Sequence, residues 1–196
     1  EIVAKLLSIR KKNIKDINLF LNPKIKDLLP NPFHLKDMKN AVDRIYNAII
    51  KGEIIGIFGD YDVDGITGVA ILWHCLKLAG GEVEFYVPHR LTEGYGLNPE
   101  AIQKLADKGT QLIISIDCGI TACKEAELAK KLGIDLIITD HHSQDEHLPQ
   151  VCAIVHPDLP GQDYPNKHLC GAAVAFKLAW ALAQQISGDK KNSPEM

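Results

Sequence analysis

Residues 54–65 read Ile54-Ile55-Gly56-Ile57-Phe58-Gly59-Asp60-Tyr61-Asp62-Val63-Asp64-Gly65, a short apolar run that gives way at once to three alternating carboxylates. The run has the length of one buried strand. A helical stretch, Ile66 to Leu78, follows it, and the same unit returns along the chain. Val83 to Val87 precedes Pro99 to Ala106, and Leu112 to Ile116 precedes Ala122 to Leu132. Leu136 to Ile138 ends in a histidine pair, and Ala153 to Val155 precedes a last helix from about Gly171 to Gln185. Short β-branched runs alternating with helices specify the α/β class: a mostly parallel β-sheet with helices on both faces. Upstream, Asp37 is the expected N-cap of an amphipathic helix whose apolar residues run from Met38 to Ile49 and which stops at Gly52. Residues 1–35 hold two apolar clusters, Ile2 to Ile9 and Ile14 to Leu21, closed by Pro23, Pro30 and Pro32. They read as an N-terminal helical extension, with the α/β domain over residues 36–196.

The chain of 196 residues is 46% hydrophobic and 24% charged, the balance of a packed globular protein. No apolar run reaches roughly 18 residues, and Glu1-Ile2-Val3-Ala4-Lys5 lacks the order of a signal peptide, so no membrane partner is expected and a cytoplasmic location is. The five cysteines, Cys75, Cys118, Cys123, Cys152 and Cys170, form no Cys-x-x-Cys pair and fit reduced thiols. Cys118 and Cys123 lack the second pair that a structural zinc would need. Charge is uneven: residues 1–50 carry ten Lys or Arg against five Asp or Glu, and residues 51–196 carry twelve against twenty. The basic front can attract phosphates or can be simply solvated.

Ligand sites of open parallel sheets lie beyond the carboxyl ends of the strands, and three strand ends here are rich in charge. They are Asp60-Tyr61-Asp62-Val63-Asp64, Asp117-Cys118-Gly119 and Asp140-His141-His142. Carboxylates gathered within a few ångströms cannot all ionise cheaply without a cation. Oxygen donors with one or two imidazoles suit Mg²⁺ or Mn²⁺, and the number of ligands suits two ions, a pair able to clamp a phosphoryl group. Each piece also has a plainer use. Asp60-x-Asp62-x-Asp64-Gly65 opens like a calcium-binding EF-hand loop, but its twelfth position is Ile71 rather than Glu and it follows a strand. Asp64 is expected to cap the helix starting near Ile66. Asp117 could merely turn the chain with Gly119, and adjacent histidines are often only loop residues. Cys118 is the one candidate nucleophile, and neighbouring acids would raise its pKa and blunt it. Neither a P-loop, a Gly-x-Gly-x-x-Gly turn nor a Gly-x-Ser-x-Gly elbow occurs.

Asp60 to Gly65, Asp117-Cys118-Gly119 and Asp140-His141-His142 resemble the first three motifs of the DHH phosphoesterase superfamily. Pro88-His89-Arg90-Leu91-Thr92-Glu93-Gly94-Tyr95-Gly96-Leu97 and Gly171-Ala172-Ala173-Val174-Ala175-Phe176-Lys177-Leu178 resemble signatures of its bacterial RecJ branch, over about Lys36 to Gln185. That likeness implies metal-dependent 5′ to 3′ exonuclease action on single-stranded DNA in recombination and repair, alongside replication or repair proteins. Asp60 and Asp62 would each bind one of two Mn²⁺ or Mg²⁺ ions, Asp117 would bridge them and His141 would complete the second site. His142 would face the scissile phosphate, Asp140 would orient the imidazoles, and Arg90 would grip a backbone phosphate unless it pairs with Glu93. Two departures stand out. Gly56, Ile57 and Phe58 occupy the place where many members carry an extra His ligand, and the family's fourth motif, an Asp beyond the last helix, is not reached before Met196. The DHH-associated and oligonucleotide-binding domains are not reached either. The expectation is a catalytic-domain fragment, poorly active alone. A phosphoesterase for short oligonucleotides, cyclic dinucleotides or pyrophosphate, and a non-catalytic replication scaffold, are the alternatives.

Overall fold

A computed structural model describes residues 1–10, 14–24 and 29–188. Five strands, β1 (Ile54–Gly59), β2 (Glu82–Tyr86), β3 (Thr110–Ile116), β4 (Asp135–Thr139) and β5 (Ala153–Val155), form one sheet in the order β2-β1-β3-β4-β5. Every neighbouring pair is parallel. The helices are α1 (Ile2–Ile9), α2 (Ile14–Leu21), α3 (Met38–Lys51), α4 (Val63–Leu78), α5 (Pro99–Asp107), α6 (Cys123–Lys131) and α7 (Gly171–Ser187).

Successive residues of a strand point to opposite faces, and here both faces are covered. Ile55, Ile57, Leu112, Ile114, Ile116 and Ile137 pack in one cluster with α3, α4 and α7. Phe58, Ile113, Leu136, Ile138 and Ile154 pack in the other with α5 and α6. That double burial explains why the strands read as unbroken apolar runs rather than as alternation. On α3, Met38, Ala41, Val42, Ile45 and Ala48 are buried. Side chains such as Met38 and Ile45 each stabilise the fold by about 1.5–3 kcal/mol through removal from water.

The chain divides into two compact units, the first ending at Asn31 and the second beginning at Pro32. The boundary expected after Leu35 moves earlier for a physical reason. Leu35 is buried in the main cluster and its N–H donates to the Pro32 carbonyl, so the short 3₁₀ turn Pro32–His34 belongs with α3. In the first unit α1 and α2 coincide with the two apolar clusters of the sequence. Residues 189–196, the end of the expected domain, lie outside the described residues.

One expected cap holds in position but not in its side-chain bond. Asp37 does precede α3, but it has φ 58° and its side chain makes no cap hydrogen bond. The carboxylate instead accepts the Ile154 N–H at 3.3 Å, tying the start of α3 to strand β5. Among the described residues no helix is long and apolar enough to cross a membrane.

Candidate metal centre at the carboxyl edge of the sheet

The strand order reverses between β1 and β3, and ligands of open α/β sheets bind in the crevice that such a reversal opens. Asp60 leaves β1 and Asp117 leaves β3 at that point, with Asp140 one strand further along. Their spacing is set by the sheet itself. The N–H of Asp60 donates to the Ile116 carbonyl at 3.2 Å, that of Asp117 to Thr139 at 2.9 Å and that of Asp140 to Val155 at 3.2 Å. Each acid thus extends the ladder of its strand by one bond. Three carboxylates stand in a row on neighbouring strands, roughly 4.8 Å apart in the backbone. They are almost wholly enclosed, at 2%, 1% and 1% exposure for Asp60, Asp117 and Asp140.

Asp117 has φ 62°, a left-handed conformation that Asp tolerates better than most residues. This bend turns the chain out of β3, and it is held by the Ser115 hydroxyl donating to the Cys118 carbonyl at 2.9 Å. Two groups of donors meet at Asp117: Asp60, Asp62 and Asp117 offer ligand atoms within 4.8 Å of one another, and so do Asp117, His141 and His142. His141 Nε2 is 3.1 Å from Asp117 Oδ1. The contact has ion-pair distance without hydrogen-bond alignment, and Oδ1 of Asp117, like Oδ1 of Asp60, is buried with no hydrogen-bond partner among the described residues. Orphaned buried carboxylate oxygens are costly. Together with imidazole nitrogens they form the hard, oxygen-rich donor set that Mg²⁺ or Mn²⁺ takes, and the residues present fit such ions.

The electrostatics agree with that fit. Burial, followed by the charges of Asp64 and Asp62, pushes the Asp117 carboxyl up to about 7. Burial and then the charge of Asp62 also raise Asp60, although the backbone N–H of Tyr61 works against it. Burial, then neighbouring His142, pulls His141 down. His142 moves the other way: burial pulls it down, but its hydrogen bond to Asp140 and the surrounding carboxylates outweigh that and raise it. Cys118 is pushed well above the ordinary thiol value by burial and then by Asp140, Asp60 and Asp117, which leaves it a poor nucleophile.

Asp140 is an organiser. Its Oδ1 accepts the N–H groups of His141 at 2.7 Å and His142 at 3.1 Å, and His142 Nδ1 at 2.7 Å. Its Oδ2 accepts the Ile120 N–H at 2.9 Å. One carboxylate therefore fixes both histidines and the turn after β3.

Asp64 does not cap the helix that contains it. That cap belongs to Asp62, whose Oδ1 accepts the N–H groups of Asp64 at 2.8 Å and Gly65 at 2.9 Å, because α4 starts at Val63 rather than near Ile66. Asp62 is exposed and spends one oxygen on this cap. Asp64 instead accepts the Gly171 and Ala172 N–H groups at 2.6 and 2.8 Å, capping α7 more than a hundred residues away.

Arg90 is exposed, with its guanidinium 5.3 Å from the centre of the Tyr61 ring. Glu93 has other partners: the Tyr86 hydroxyl donates to it at 2.6 Å, and Lys104 stands 3.7 Å from it while donating to the Tyr86 hydroxyl at 2.8 Å. The expected alternative, an Arg90–Glu93 pair, is absent from the contacts of the described residues, and Glu93 anchors the loop to β2 and α5. Two site neighbours went unassigned in the sequence. The Tyr95 hydroxyl donates to the Asp117 carbonyl at 3.3 Å and lies 3.1 Å from His142 Nδ1. Gly171 touches the site because a Cβ there would overlap the Asp117 carboxylate. Both lie in quoted motifs, but nothing in residue spacing says that those loops turn toward Asp117.

Residues 54–196 match the DHH family, N-terminal domain. The chain belongs to that family. Among curated relatives, the single-stranded-DNA-specific exonuclease RecJ of Bacillus subtilis (strain 168) is 49% identical over 86% of this chain and 21% of its own length. Among solved structures, exonuclease RecJ bound to manganese aligns with TM-score 0.73 and 37% identity, over 81% of this chain and 39% of that one. RecJ in complex with Mn²⁺ from Thermus thermophilus aligns with TM-score 0.70 and 34% identity, over 85% of this chain and 23% of that one. This DHH chain spans about a fifth of the length of the Bacillus subtilis relative.

Proposed function

We propose that this chain carries the hydrolytic site of a Mn²⁺- or Mg²⁺-dependent exonuclease that removes 5′ nucleotides from single-stranded DNA, working 5′ to 3′ in recombination and repair. The observation that carries the reading is the meeting of two donor groups at Asp117, with buried oxygens on Asp60 and Asp117 that have no hydrogen-bond partner among the described residues. Likeness to relatives named for that activity supports it. The five free thiols fit a reducing compartment, and we place the activity in the cytoplasm among replication or repair proteins.

In this reading Asp60, Asp62, Asp117 and His141 would hold the two ions, with Asp60 and Asp62 each serving one of them. Two divalent ions so held would supply charge stabilisation at the phosphoryl group and a water of lowered pKa. The rest falls to the protein. As the bond from water oxygen to phosphorus forms, the bond from phosphorus to the 3′ oxygen of the departing nucleotide breaks, and that oxygen takes up a proton. His142, whose pKa is raised, against the pull of burial, by its hydrogen bond to Asp140 at Nδ1, would supply it from Nε2. Arg90 grips a backbone phosphate, its guanidinium already stacked on Tyr61.

The test is Mn²⁺-dependent release of nucleotide from 5′-labelled single-stranded DNA by this site carried in a chain of the relatives' length, compared with the same chain bearing Asp117→Ala. Release by the wild type and none by the variant is the expected result, and equal cleavage by both overturns the site. Release from dinucleotides or pyrophosphate, with none from strands, would replace the exonuclease reading by the small-substrate one. Strand binding without any cleavage would replace it by the scaffold.

A further inference from the structure

The N-terminus of α7 lies against the acidic cluster, held by bonds to Asp64 and by the small residues where α4 and α7 meet. The residue at the N-cap position, Cys170, makes no side-chain cap bond. The two short bonds from Gly171 and Ala172 go to Asp64, on the first turn of α4. Those bonds, with one from the Cys170 thiol, outweigh burial and hold the Asp64 carboxyl below its usual range. Negative charge at a helix N-terminus is also favoured by the dipole. Finally, α4 and α7 meet through small residues: a Cβ on Gly68 would crowd the Ile116 side chain and touch Ala175 and Ala172, and a Cβ on Gly171 would overlap the Asp117 carboxylate.

Asp64 thus has α7 on one side and the histidine end of the cluster on the other, its Oδ2 standing 3.7 Å from His141 Nε2. His141 Nε2 in turn approaches Asp117 Oδ1. Both oxygens of Asp64 are occupied by backbone N–H groups, so it is a poor candidate for a metal ligand and a good one for a brace. We propose that Asp64 is a positioning residue that clamps the N-terminus of α7 to α4, and so sets where Asp117 and His141 stand toward the divalent ions. The proposal rests on the metal-dependent reading above.

The experiment compares Asp64→Asn, Asp64→Ala, Gly171→Ala and Asp117→Ala with wild type. Amide hydrogen exchange at Gly171 and Ala172 is followed without metal, and Mn²⁺ affinity and stoichiometry are measured by calorimetry. Asp64→Asn keeps the shape and one acceptor oxygen, so it guards against mere failure to fold. In both Asp64 variants the two amides should exchange at least about tenfold faster. Mn²⁺ affinity should fall by about 10–100-fold, the usual cost of removing a residue that orients a ligand, with stoichiometry unchanged. Asn should lie between Ala and wild type. Gly171→Ala should weaken Mn²⁺ with Asp64 intact. Unchanged amide exchange or unchanged Mn²⁺ affinity in the Asp64 variants overturns the clamp. So does a loss of stoichiometry equal to that of Asp117→Ala, which would make Asp64 a ligand. If the wild type binds no Mn²⁺, the metal reading fails, and the role assigned to Asp64 falls with it.

Discussion

Replacing Asp117 by Asn should make the metal-free protein more stable at neutral pH while destroying its affinity for metal. The side chain is 1% exposed, and Asn keeps both its volume and its tolerance of the φ of 62° that the turn demands. What changes is charge. Asp117 titrates at about 7 in the fold, against 3.8 when unperturbed. The folded state therefore binds more protons than the unfolded chain between those values, so stability is lost as pH rises through this window and is lowest above it. Three pH units at about 1.4 kcal/mol each make about 4 kcal/mol, shared with the other carboxylates of a coupled cluster. For a unit of this size that is roughly 10 °C in Tm. Thermal unfolding in chelator at pH 5 and pH 8 captures the part lost above pH 5, about two pH units or about 3 kcal/mol. Wild type should lose stability between the two values, Asp117→Asn should lose much less, and Mn²⁺ at pH 8 should rescue the wild type alone. Equal pH slopes for the two proteins would refute the claim that buried acidic repulsion at this site is what a cation relieves.

Four other substitutions separate the parts of the site. Asp140→Asn should lower the His142 pKa toward its ordinary value, seen as a shift of its ring resonances in an NMR titration, because the bond to Nδ1 and the negative charge are what raise it. Tyr95→Phe removes a hydroxyl bound to the Asp117 carbonyl; unfolding should cost only about 0.5–1.5 kcal/mol, while turnover on single-stranded DNA falls by a larger factor. Glu93→Gln should loosen the loop that carries Arg90 and raise KM for strands more than it lowers kcat, since the Tyr86 and Lys104 contacts to Glu93 hold that loop. Gly65→Ala places a methyl against the backbone of Asp60 and should destabilise by about 1–3 kcal/mol in denaturant titrations.

Most of the sheet was legible because its signal is local. Ile54 to Phe58 and Leu112 to Ile116 are apolar on both faces, and each is followed by a helix, which leaves little room for another class. The acids at the strand ends were legible as a group for the same reason: each sits one or two residues past an apolar run. Whether they meet depends on strand order, and β1, β3 and β4 being adjacent is a fact of three dimensions. The caps were misread where a long-range partner wins over a local one. Asp37 and Asp64 each precede or begin a helix, but each gives its carboxylate to a backbone N–H far along the chain, Ile154 for one and Gly171 and Ala172 for the other. No periodicity carries that information.

The placement of the cluster also explains how a fold can tolerate it. An isolated buried carboxylate costs several kcal/mol, and three together cost more. The N–H groups of Asp60, Asp117 and Asp140 are used up in the sheet ladder, so the backbone at these positions is satisfied whether or not a metal is bound. Asp140 makes no further demand, because four donors fill its oxygens. Asp62 and Asp64 discharge into helix N-termini. Within the cluster, only Asp60 and Asp117 retain a buried oxygen with no hydrogen-bond partner among the described residues, and these two stand on either side of the β1–β3 reversal. The unmet electrostatic demand is thereby concentrated at one point, which is the arrangement expected if binding a cation, rather than folding, is what the cluster is built for.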